Sequence, residues 1–416
     1  MGRRGSKLFG ILAVVALVGA ACSSSDDGGG GGGGTGGDGG DGGGTIKIGA
    51  SLPLTGDFSQ PGGEAKRGYE IWQQLTNESG GLLGKQVELV ILDDASDQNT
   101  VVSDYNRLIS QDNVDLLLGT FSSLLNLPAS AVAEKNDMVF VEPAGGAPDM
   151  FSRGFTYLFF AQQATAPHQG DLFAQYILSL PEGERPTTAA YPTQDDPFAA
   201  PVIDGIRAQL EAGGIETVYE TVYPPETTNF DTIASDIKAS GAELVAHGAV
   251  FEDGIGMIRS FQKVGYNPAY FFETSAPSNS DQFSDAIGIQ NTEGIFYAVS
   301  WHPDTDTPLN AEFVAAYKAE FDGAVPAEDA ADGFAAAQVL QAAVEATGGL
   351  DQAAIRDYLH ANPVDTILGT LSWDETGAPQ QAFLLAQWQD GTSQIVLPED
   401  LATIDTIVAP KPDWAS

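Results

Sequence analysis

The sequence predicts an α/β protein of two lobes, each built on a largely parallel sheet. Residues 46–50 read as a strand that stops in a turn made by Pro53 and Gly56, and residues 64–75 then carry helical spacing, with Tyr69, Trp72 and Leu75 on one side. A second strand follows over 86–92, closed by Asp93-Asp94. Strand, helix, strand in that order is a right-handed parallel crossover, and ligands gather at the carboxyl ends of such strands. The same alternation continues along the chain, with many strands apolar or β-branched throughout, as a sheet covered on both faces requires. The chain beyond residue 44 is also too long for one core and suits two domains.

Taken in order, residues 1–21 carry Arg3, Arg4 and Lys7, an apolar run over 8–18, and the small residues Gly19-Ala20-Ala21. Basic, apolar, small is the order of a secretory signal, and the run is too short to span a bilayer. Cys22 follows and is the single cysteine, so an internal disulfide is excluded. The segment resembles a bacterial lipobox, with Gly19 where leucine is usual, which implies a diacylglycerol on Cys22; the alternative is a chance thiol at a signal-peptidase site. Residues 22–44 are nearly all glycine with serine and aspartate and form a tether that has no apolar surface to bury.

The first lobe begins at residue 45 and runs to about 161, with further strands over 116–119 and 139–142 and helices over 98–111 and 125–136. The second covers 162–297, with strands over 188–191, 217–223, 244–248, 269–273 and 294–299. Its helices are read over 168–180, 198–213, 230–240 and 254–264. Past Trp301 the pattern returns to long helices, over 311–321, 327–346 and 351–360.

The formal charge of −39, from 57 acids against 18 bases, gives a surface that repels nucleic acid and anionic headgroups. Gly80-Gly81-Leu82-Leu83-Gly84-Lys85 is one residue short of a phosphate loop, and Gln86 stands where a hydroxyl is needed. His168, His247, His302 and His360 are scattered without ligand spacing, and His302-Pro303-Asp304 opens like a calcium loop that Pro308-Leu309 breaks. No Gly-x-Ser-x-Gly elbow is present. The reading is a protein without catalytic residues, metal or cofactor.

Ile46-Lys47-Ile48-Gly49 with Pro53-Leu54-Thr55-Gly56 resembles the opening of periplasmic binding proteins of the leucine/isoleucine/valine-binding family. So do the run Asn77 through Lys85, Glu88 through Asp94, Gly119 with Ser122-Ser123, Gly265-Tyr266, Gly369 through Asp374, and Gln387-Trp388-Gln389-Asp390-Gly391, all in order. The resemblance implies a type I venus-flytrap, two Rossmann-like lobes joined by three hinge crossovers near 161–165, 297–301 and 371–374. The first lobe then takes back residues 298–371 and the second receives 372–410. It implies the solute-binding component of an ABC importer, a monomer held by lipid outside the cell membrane, which presents a small amino acid or other carboxylate to a permease and its ATPase. The alternatives are a carrier of an aromatic acid, amide or urea-type solute, or a ligand-sensing receptor domain.

By the same resemblance Ser123 holds the ligand's carboxylate, with Ser122 beside it; the plainer reading is that Ser123 caps its helix. The loop Pro143-Ala144-Gly145-Gly146 matches the second ligand loop, with Gly146 where the family has threonine. On the ammonium side the sequence departs: residues 164–167 hold no acid, and Thr274-Ser275 stand where one is expected. Asp195, Asp196 and Glu273 are the remaining candidates, so the cleft is expected to discriminate poorly for an α-ammonium group. Of Phe121, Phe159, Phe198, Phe251 and Trp301, two are expected to line the cleft and the rest to be core.

Overall fold

The fold is described from a computed structural model that covers residues 44–415; the secretory segment, Cys22 and all but the last residue of the tether lie outside the described residues. The first sheet contains β1 (Thr45–Leu52), β2 (Gln86–Asp93), β3 (Leu116–Leu118), β4 (Phe140–Glu142) and β5 (Leu158–Phe160), ordered β2-β1-β3-β4-β5 and parallel throughout. Between them lie α1 (Ser59–Glu78), α2 (Gln98–Ser110), α3 (Ser123–Lys135) and the short α4 (Pro148–Phe151). The helix starts follow local chemistry: Asp97 accepts from the amides of Asn99 and Thr100 and so begins α2.

The second lobe adds α5 (Asp171–Ser179), β6 (Thr188–Gln194), α6 (Ala199–Ala212), β7 (Glu216–Tyr223), α7 (Asp231–Ser240) and β8 (Leu244–His247). It continues with α8 (Phe251–Val264), β9 (Tyr270–Glu273), α9 (Ser280–Ile287) and β10 (Ile295–Val299). The chain then forms α10 (Asn310–Glu320), α11 (Glu328–Thr347), α12 (Gln352–Ala361), the hairpin β11 (Val364–Thr366) and β12 (Gly369–Leu371), and finally β13 (Leu384–Gln389) and β14 (Thr392–Leu397). The second sheet has the order β14-β13-β10-β9-β8-β6-β7. Its last two strands pair antiparallel; β13 falls where a final strand is expected, over 383–388, whereas its direction, β5, α9, the β11–β12 hairpin and β14 were not expected. The chain also stays on this lobe beyond residue 410, because Trp414 donates to the Tyr266 carbonyl at 2.7 Å.

Helix α11 packs on α1, far earlier in the chain, through two close backbone approaches. A Cβ on Gly68 would lie 2.0 Å from the Ala330 carbonyl oxygen, and one on Gly333 would lie 2.6 Å from that of Ala65. Trp72 seals the pair by donating to Gln341 at 2.8 Å. One core thereby joins Ile46 and Tyr69 to Phe334, Leu359 and Trp373.

The chain passes between the sheets after β5, after β10 and after β12. Gln163 ties these passages together: its side-chain amide donates to the Ser300 carbonyl at 2.6 Å and the Leu368 carbonyl at 3.1 Å. Its own carbonyl accepts the Gln381 amide at 2.7 Å. Among the described residues no helix is long and apolar enough to cross a membrane, and no group of three acids, histidines or cysteines is arranged to hold a metal ion.

Candidate functional site

A cavity of about 90 Å³ lies between the carboxyl ends of the two sheets, a size for a small solute. The first lobe contributes the turn into α1, the β3–α3 junction and the loop after β4. The second contributes the β6–α6 and β8–α8 junctions and the residues after β9.

At the β3–α3 junction Ser122, not Ser123, faces the cavity. Ser122 sits at φ 69°, ψ 148°, a region nearly confined to glycine. Its side chain caps nothing, and its buried Oγ has no hydrogen-bond partner. Ser123 is fully buried behind it, where its Oγ accepts the Ala147 amide at 3.0 Å. The expected contact of Ser123 with a carboxylate is therefore corrected: the hydroxyl fastens the β4 loop to α3.

The β4 loop is likewise committed from behind. Glu142 Oε2 accepts the Ala144 amide at 2.8 Å and the Asn126 side chain at 3.1 Å, and the Gly145 amide also turns to this carboxyl. Burial, only partly offset by those bonds, holds Glu142 well above the usual carboxylate range. Ala144 and Gly146 line the cavity, whereas Gly145 packs on Glu142, 2.6 Å from where its Cβ would be. Two amides of the loop matched to the second ligand loop, those of Ala144 and Gly145, thus already serve a protein carboxyl.

On the second wall Thr274 and Ser275 line the cavity, and Thr274 Oγ1 is satisfied by donating to the Ala249 carbonyl at 2.5 Å. Glu273 points the other way. It is fully buried, 2.6 Å from His247 Nδ1, whose Nε2 meets the Tyr223 hydroxyl at 2.8 Å. That pairing removes Glu273 as an ammonium partner. Asp195 is exposed outside the cavity; Asp196 lines it while accepting the amides of Phe198 at 2.8 Å and Ala199 at 3.0 Å, so it begins α6. Three of the five expected aromatics, Phe121, Phe198 and Phe251, line the cavity. Phe159 instead packs on Trp373 and Trp301 on Phe313, in the first-lobe core.

Beyond Asp196 and the exposed Asp57 and Glu252, the acids that reach the cavity come from elsewhere: Glu328, Asp329 and Asp332 in the first turns of α11. This corrects the expectation that the cleft offers an ammonium no carboxylate beyond Asp195, Asp196 and Glu273. The backbone amide of Ser300 donates to Glu328, and its hydroxyl donates to Asp332 at 2.6 Å. Burial holds all three carboxyls above their ordinary range, with Glu328 adding repulsion at its two neighbours. Acids at the start of an alanine-rich helix read in sequence as complements to the helix dipole. The one local sign was Asp332, a turn further in, where alanine would serve the helix better.

Residues 45–393 match the family described as periplasmic binding protein. A Leu/Ile/Val-binding protein homolog of Brucella melitensis is 28% identical over 350 residues, covering 83% of this chain and 92% of its own length. Among solved structures, a leucine-binding protein of Thermotoga maritima superposes with a TM-score of 0.76 at 21% identity, over 86% of this chain and all of its own. A solute-binding protein of an ABC transporter from R. palustris, in complex with benzoate, superposes with a TM-score of 0.74 at 20% identity, over 89% and 98%. At those identities the superpositions establish the fold.

Proposed function

The chain belongs to the periplasmic binding protein family, and from that premise we propose that it captures a small, amine-bearing, amino-acid-like solute between its lobes and presents it to an ABC permease and its ATPase. It is an extracytoplasmic binding protein, not an enzyme. The observation that carries the ligand reading is the cavity shared by both lobes, with the acids of α11 on one side and Phe198 and Phe251 on the other. Hydrogen-bonding groups facing an apolar wall are the usual make-up of a small-ligand site. Ser122, Ala144, Gly146, Thr274 and Ser275 complete the proposed ligand shell; Ser123 and Gly145 support it from behind. Closure by hinge motion about the Gln163 junction would be the state the permease senses.

The protein is a monomer in this reading, held at the outer face of the membrane by a lipid on Cys22. Replacing Cys22 by serine releases it from the membrane fraction; retention would place the anchor elsewhere. The ligand reading is tested by calorimetry against amino acids and small amines, together with small-angle scattering. The expected result is saturable binding with compaction, weakened by Phe251→Ala. Binding that persists unchanged in Phe251→Ala with no compaction would move the site out of the cleft.

A further inference from the structure

The cavity wall combines acids with aromatic rings, and among the described residues that line it there is no lysine, arginine or histidine. Glu328, Asp329 and Asp332 lie within five residues of one helix, where they repel one another, and each has only neutral partners at hand. Glu328 and Asp332 share Ser300, and Asn279 stands beside Asp329. A carboxylate cluster of this kind, half-buried at Glu328 and Asp329 and buried at Asp332, lacks its counter-charge.

A second observation is independent of those acids. The unsatisfied buried atoms at the cavity are oxygens: Ser122 Oγ and the Oε1 atoms of Gln60, Gln162 and Gln169. Gln162 and Ser122 are 5% and 6% exposed, so solvent does not serve them. The orientation of two of the amides is fixed by their nitrogens, since Gln162 Nε2 donates to the Pro143 carbonyl at 3.0 Å and Gln60 Nε2 to Asn279 Oδ1 at 2.8 Å. The glutamine oxygens accept and cannot donate. The cavity therefore presents acceptors and acids that await N–H donors. Phe58, Phe121, Phe160, Phe198, Phe251 and Phe383 supply ring surface around them, which attracts cations and covers methylene groups.

We propose that the ligand is a net-cationic amine or guanidine, seated with its N–H groups against Glu328, Asp329, Asp332 and the free glutamine oxygens and with its carbon chain among the phenylalanines. The inference rests on the solute-binding reading and sharpens it. A net-neutral zwitterion such as leucine brings its own carboxylate into the same acidic field, and benzoate brings an anion alone. Both are disfavoured by repulsion as well as by unmet acceptors. A quaternary ammonium satisfies the charge but not the orphan oxygens.

The full chain, unfolded and refolded to strip any co-purified solute, is tested by thermal shift and calorimetry with putrescine, agmatine, arginine, leucine and benzoate. The expected result is stabilisation by one or more of the three cations and none by leucine or benzoate. Glu328→Gln and Asp332→Asn should each weaken cation binding about tenfold or more, the scale of a lost charge-assisted hydrogen bond. The same substitutions should raise the melting temperature without ligand, because each removes a like charge from the cluster, a split that a merely structural role would not produce. Glu312→Gln, at an exposed position on α10, serves as the control and should leave both readings unchanged. Stabilisation by leucine or benzoate with none by the cations would overturn the inference while leaving the solute-binding reading intact. Stabilisation by no probe would count against both.

Discussion

Gln60 of α1 donates its side-chain amide to Asn279 Oδ1 at 2.8 Å, joining opposite walls of the cleft across 219 positions of sequence. Next to it Gln282 reaches Glu64 at 3.5 Å. These contacts form only when the lobes approach, so they favour the closed state in addition to any contact the free Gln60 Oε1 makes with the ligand. Gln60→Ala should therefore weaken ligand binding by a few fold, about the net worth of one hydrogen bond, through faster dissociation. Stopped-flow release kinetics check this; an unchanged off-rate would show that the bridge contributes nothing to closure.

Ser122 combines a strained backbone with a free hydroxyl, and two substitutions separate them. Ser122→Gly should stabilise the unliganded protein by about 1 kcal/mol, since relief of strain outweighs the added chain entropy. Ser122→Ala keeps the strain and should leave stability nearly unchanged. Both should weaken ligand binding by about 1 kcal/mol if the hydroxyl meets the solute. Denaturant titration alongside calorimetry distinguishes the two effects.

Acidification should stabilise the folded protein over the range from about pH 8 to 5. Burial raises Asp94 to about 6 and Asp253 to about 7, and it pushes Glu142, Asp329 and Asp332 upward as well. Carboxyls that bind protons more tightly when folded contribute stability that is present below their unfolded pKa and is lost as pH rises through the folded values. Lys411, lowered by burial to about 7, and His302, also lowered by burial, act oppositely within this range but are outnumbered by the raised carboxyls. Asp93, lowered by backbone and Thr55 hydrogen bonds that exceed its desolvation, acts oppositely only at more acid pH. A melting temperature that falls steadily from pH 8 to pH 5 would contradict this assignment.

Gly68→Ala should destabilise the protein by about 1–3 kcal/mol or more, the cost of forcing atoms into a packed interface. The new methyl would meet backbone at Ala330, which has no rotamer to yield. Because α11 carries Glu328, Asp329 and Asp332, the displaced helix should also lower ligand affinity. Thermal melts read the first effect and calorimetry the second; a neutral substitution would mean that the two helices separate without cost.

The alternating pattern of β1, α1 and β2 was legible because periodicity records which face of each element is buried, and burial is decided within a few residues. The same is true of Phe198 and Phe251, which sit directly at strand-to-helix junctions. Direction within a junction was harder. Ser122 and Ser123 are adjacent and chemically identical, yet a left-handed turn at Ser122 sends one hydroxyl into the cavity and the other to Ala147. Glu273 and Asp196 likewise lie at strand ends, and only their partners, His247 and the α6 amides, show that both are already engaged. The acids of α11 were beyond reach of local pattern altogether. Their place in the cleft depends on Gly68 and Gly333 letting two helices more than two hundred residues apart touch through their backbones. Sequence by itself determined the elements and their order, because those follow from local propensity and burial. Which charges converge on the cavity was decided by long-range packing, and no property of a short stretch encodes it.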